Sequence, residues 1–152
     1  MKNSFFLILW CTLMVVLQSC STPNEIGRSG TDVQYTPLSV SDGTDQHISN
    51  EVKKKLSEFD EINTIKAVNT PKTVIIAVEI DHNKRFKLET YKKKYSEAII
   101  DEFPEMIVEL STDKKLVIEI DRLEQHIKDK QISQQQLEIK IQKLIKLMRK
   151  KT

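Results

Sequence analysis

The sequence predicts a small α+β domain, a three-stranded sheet with helices packed on one face, in the order α-β-β-α-β-α-α. Three observations carry this. The stretch "TVIIAVEI" alternates Val74, Ile76, Val78 and Ile80 on one face with Ile75 and Ala77 on the other, the pattern of a strand that is central in its sheet. Four other stretches repeat apolar residues at helical spacing. At 152 residues the chain has room for one domain.

The elements follow in order. Ile48, Val52, Leu56, Phe59 and Ile62 recur at helical spacing, with Ser49 as the expected N-cap. A short strand, Thr64–Val68, precedes the long one, and "NTPK" supplies the turn of a hairpin between them. A second helix over 87–103 lines up Leu88, Tyr91, Tyr95, Ala98, Ile99 and Phe103, and Pro104 stops it. "EMIVELS" alternates Met106, Val108 and Leu110 and reads as the third strand. The first half of "DKKLVIEIDRLEQHI" has strand character around Val117. Over the longer window Leu116, Ile120, Leu123 and Ile127 fit a helix, which is the favoured reading. Ser133 and Gln136 form a capping box for a last helix. Its stripe is Leu137, Ile141, Leu144, Ile145 and Met148, and Arg149, Lys150 and Lys151 sit where the helix dipole favours cations.

The N-terminus is of a different kind. Lys2 precedes an apolar run, Phe5 to Leu17, too short for a comfortable span of about 20 residues but suited to a secretory signal. The run closes on Leu17-Gln18-Ser19-Cys20, which resembles the bacterial lipobox, although Gln18 is larger than usual there. That resemblance implies a signal peptide over 1–19, lipidation of Cys20 as the new N-terminus, and attachment to the extracytoplasmic face of the cell membrane. Two acyl chains suffice for stable anchoring. Cys11 would leave with the signal, so no disulfide framework is expected. Residues 20–46 have linker composition, and a coil of about 26 residues would hold a domain over 47–152 roughly 25–30 Å from its anchor.

The spacing "TIKAVN…TVIIAVEI", the basic amphipathic helix, the extended segment ending "LSTD" and the helix after it resemble spore lipoproteins of the YhcN/YlaJ type. "HNKRFKLETYKKK" and the additional C-terminal helix are closer to the YlaJ branch. The likeness covers roughly residues 48–130 and the lipobox. It implies a place at the spore's inner membrane, a link to germination or cortex lysis, an unidentified spore-envelope protein as partner, and no known catalytic activity.

The residues themselves offer little chemistry. Net charge is +2, and of the 24 basic side chains only Lys2 lies in the signal, so no long-range field for nucleic acid is expected. His47 reads as a solvated residue, His82 as a loop histidine beside Asp81, and His126 as a surface residue one turn before Asp129. The carboxylates Glu58, Asp60, Glu61, Asp101, Glu102, Glu105 and Glu109 read as solvated charge among lysines rather than a hydrolase pair. No nucleotide-binding, zinc-protease or serine-hydrolase motif is present. No enzyme, cofactor, metal or small-molecule substrate is therefore expected, and Cys20 is the one candidate site residue. The clusters Lys53–Lys55, Lys84–Arg85–Lys87 and Lys92–Lys94 read first as solvated helix faces. The alternative is orientation against an anionic surface, at about 1 kcal/mol per cation close to a membrane.

Overall fold

The computed structural model describes residues 33–38 and 44–150. Helix α1 (His47–Leu56) leads into strands β1 (Ile62–Asn69) and β2 (Thr73–Ile80). A 3₁₀ turn (His82–Lys87) opens directly into α2 (Leu88–Glu102), followed by β3 (Ile107–Ser111), α3 (Lys114–Lys128) and α4 (Gln134–Arg149). The fold is α+β with the expected order. The stretch over 115–127 is wholly helical, as its longer apolar period requires.

The sheet order is β1-β2-β3, with β1 antiparallel and β3 parallel to the central strand. Ile65 faces Val78 and Val68 faces Ile75, while Thr73 to Ala77 run beside Ile107 to Ser111. A parallel neighbour needs a crossover, and α2 supplies it.

Helices cover both faces of the sheet, which corrects the expectation of one. Val68, Ile75 and Ala77 pack against Leu116, Ile120, Leu137 and Ile141 of α3 and α4. On the other face Ile65, Val74, Ile76 and Val78 pack against Val52 and Leu56 of α1 and Tyr95 and Ile99 of α2. The reason lies in β2 itself: both of its faces are apolar, so each needs cover.

One local expectation also changes. Helix α1 starts at His47, two residues before Ser49. Its first-turn amides are satisfied from outside the helix: His47 N–H donates to Asp45 Oδ1 (2.9 Å) and Ser49 N–H to Asn69 Oδ1 of β1 (2.9 Å). Ser49 is thus inside the helix, buried, with its hydroxyl donating to the Gln46 carbonyl. At α4 the Ser133–Gln136 capping box forms in both directions.

The described part of the 20–46 stretch is not free of the domain. Val33 and Leu38 are buried, one against each core. Gln34 pairs parallel to Thr64 through Gln34 N–H to Asn63 O (2.8 Å) and Ile65 N–H to Gln34 O (3.1 Å). Leu38 is held from both sides by the Asn50 amide (2.8 and 2.7 Å). Isolated apolar residues in a polar stretch show no period, so composition alone hides their burial.

Candidate functional site

Cys20 and the rest of the N-terminal segment lie outside the described residues. The densest chemistry inside them is a charge cluster at the β1 edge. Lys53 of α1 is on the same buried stripe as Ser49 and Leu56, and Glu124 of α3 continues the stripe of Val117 and Ile120. Their side chains meet at 2.6 Å, 0% and 3% exposed. Lys66 of β1 reaches Glu124 at 3.5 Å and Asp121 at 2.6 Å. Lys53 also donates to the Thr36 carbonyl (2.9 Å), and the Ala67 N–H donates to Glu124 (3.0 Å).

Electrostatically the two lysines differ. Burial pulls the Lys53 ammonium below its ordinary range, against the opposing attraction and hydrogen bond of Glu124. Burial works the same way on Lys66, but the hydrogen bond to Asp121 and the charges of Glu124 and Asp121 outweigh it and raise its pKa. Glu124 accepts from two ammonium groups and one backbone amide, and both it and Lys53 are shut off from solvent. Such a group has no room for a substrate. Its evident work is to close the β1 edge, which Gln46 completes by accepting from Asn69 N–H (3.0 Å) and donating to Asn69 O (2.9 Å).

The opposite edge is different. Ile107 N–H donates to Lys72 O, so in a parallel ladder Ile107, Glu109 and Ser111 turn their main chain toward β2. Val108 and Leu110 turn theirs outward, and no described segment pairs with them. Ile107 leaves 55% of its surface exposed on this edge.

The histidines do not converge. His47 starts α1, His82 starts the 3₁₀ turn, and His126 Nδ1 lies 3.3 Å from Lys140 Nζ. No group of three or more metal-type ligands exists among the described residues. Several of the acidic candidates meet cations instead. Glu58 and Glu102 flank Lys55, Glu61 pairs with Lys94 and accepts from Tyr95, and Glu109 holds Arg149 at the end of α4. Of the lysine clusters, Lys53 is interior and Lys94 lies 4.6 Å over the Phe59 ring. The Lys84–Arg85–Lys87 turn buries nothing, and Phe86 within it is 81% exposed.

Two open clefts are of useful size. One, of about 350 Å³, lies between α3 and α4, with Arg122, His126, Lys140 and Lys143 around Leu123 and Leu144. The other, about 640 Å³, lies beyond the β1–β2 turn, where Pro71 and Ile48 face Phe103, Pro104, Met106 and Ile107. Among the described residues no helix is long and apolar enough to cross a membrane.

Sequence reasoning missed Lys53 and Glu124, although their positions on apolar stripes were visible. A charge at the centre of a helical apolar arc is the signal for a buried pair. No family model, no curated protein and no solved structure matches this chain.

Proposed function

We propose that this chain is a lipid-anchored protein of the endospore envelope, held at the extracytoplasmic face of the membrane by Cys20. It serves there as a non-enzymatic accessory factor in germination or cortex lysis, acting through contacts with a spore-envelope protein. The observation that carries the anchor is the apolar run that closes on Leu17-Gln18-Ser19-Cys20. The resemblance of "TIKAVN…TVIIAVEI" to spore lipoproteins supports the setting. Engagement of Glu124, Asp121, Glu61 and Glu109 with cations supports contact rather than acid–base catalysis. Cys20→Ala should abolish labelling by a fatty-acid probe and release the protein from the membrane fraction. Labelling that persists in this variant would remove the anchor from the proposal.

A second reading, a self-associating structural module, is favoured by the bare β3 edge. Two copies could join their β3 strands and extend the sheet. Light scattering on residues 21–152 should then show a concentration-dependent dimer. Val108→Pro should abolish it, because a proline there removes an outward donor and leaves the β2 ladder intact. A monomer at every concentration rules this reading out.

A further inference from the structure

We infer that the 3₁₀ turn His82–Lys87 is a second membrane contact, which lays its Phe86 side chain and the cations around it against an anionic lipid surface. The inference rests on the anchoring at Cys20 proposed above.

Three observations converge on it. Phe86 is the most exposed large apolar side chain among the described residues, at 81%. Its neighbours in "HNKRFK" are Lys84, Arg85 and Lys87, none of which forms an ion pair with a described carboxylate, and Lys87 Nζ sits 5.9 Å from the Phe86 ring. An aromatic ring set among cations suits the headgroup boundary, where the ring enters the acyl edge and the cations meet lipid phosphates. A turn built only to solvate would gain nothing from that ring.

Position supplies the third. Ile62 pairs with Ile80, Asp81 N–H donates to Glu61 O, and the 3₁₀ turn follows at once. Gln34 runs parallel to Thr64, so Val33, where the described chain begins, lies at this same end of the sheet. The segment leading back to Cys20 and the Phe86 turn therefore share one end of the molecule. The parallel β3 also finishes there, which brings Lys114 and Arg85 to the walls of one small cavity. The acids at this end, Glu79, Asp81, Glu89 and Asp113, nearly balance the cations, so the lipid contact depends on the ring and its immediate neighbours rather than on bulk charge.

The test uses the full chain in lipid nanodiscs, with acylation of Cys20 read independently by mass. A paramagnetic label on a lipid headgroup broadens the resonances of nearby amides. In phosphatidylglycerol discs, amides 84–87 should be broadened strongly and those of Thr70 and Lys72, at the far end of the sheet, should not. Phosphatidylcholine discs should lose most of that contrast. Phe86→Ser and the double variant Lys84→Glu/Arg85→Glu should each abolish it while leaving the remaining spectrum unchanged. Equal broadening of both ends, or broadening that survives in both variants, overturns the inference. If Cys20 is acylated and 84–87 stay clear of lipid, the inference fails and the anchor stands. If Cys20 is unmodified and 84–87 still meet lipid, the anchor reading fails and the contact stands.

Discussion

At the scale of single residues, the buried Lys53–Glu124 pair has the largest energetic leverage. Removing one member of such a pair leaves an uncompensated buried charge, a loss of about 3–5 kcal/mol. Glu124→Ala should therefore lower the urea midpoint sharply, and it also strips the acceptor from the Ala67 amide. Lys53→Met with Glu124→Gln keeps an acceptor for that amide and leaves no lone charge. The double variant should be more stable than Glu124→Ala by about 2 kcal/mol or more. Equal midpoints for the two variants would show that the pair contributes nothing beyond its packing. The pair also marks the limit of a periodicity reading. Lys53 and Glu124 occupy apolar stripes, yet only the folded arrangement shows that α1 and α3 bring their charges together across one strand edge.

At the scale of elements, segment 33–38 behaves as part of the domain. Val33 and Leu38 are both buried, and burying a side chain of this size contributes about 1.5–3 kcal/mol. A fragment beginning at residue 47 loses both, together with Gln46 and the Thr36 carbonyl that receives Lys53. It should unfold at clearly lower urea than residues 21–152, and the Ile65 amide, now without Gln34 O, should exchange rapidly. Coincident unfolding curves would return the segment to the status of a passive linker. The strands were the most legible elements because "TVIIAVEI" carries its period over eight residues. Its two apolar faces each need cover, which the expectation of helices on one face overlooked, and α1 with α2 and α3 with α4 provide it. The parallel seating of β3 was not legible, since alternation is the same in either direction.

At the scale of the whole molecule, the shifted groups set a pH dependence. Tyr95 is pushed up from its ordinary 10.0 by burial and then by the Glu61 charge and hydrogen bond, and Lys66 is raised above 10.5. Both hold protons more tightly folded than unfolded, so their contributions are complete at neutral pH and fall away as pH rises past about 10. Lys53, lowered from 10.5, acts oppositely: the unfolded chain binds its proton more tightly, and stability gains as pH climbs toward 10.5. Urea midpoints taken at rising pH should therefore fall steeply only above about pH 10, and Tyr95→Phe should flatten that fall. A curve merely displaced downward in Tyr95→Phe would sink this assignment.

If Cys20 is anchored as proposed, the parallel entry of residues 33–38 along β1 also bears on which surface faces outward. Between Cys20 and Val33 lie residues 21–32, which span at most about 40 Å when fully drawn out. They join the domain at the Ile62–Ile80 end, so the anchoring and lipid contact proposed above would together set that end against the bilayer. Strands β1 and β2, eight residues each, then rise about 26 Å from it. In that arrangement the cleft between Pro71 and Phe103, at the opposite end of the sheet, would be directed away from the bilayer. An envelope partner approaching from outside would reach this apolar cleft before any other part of the domain.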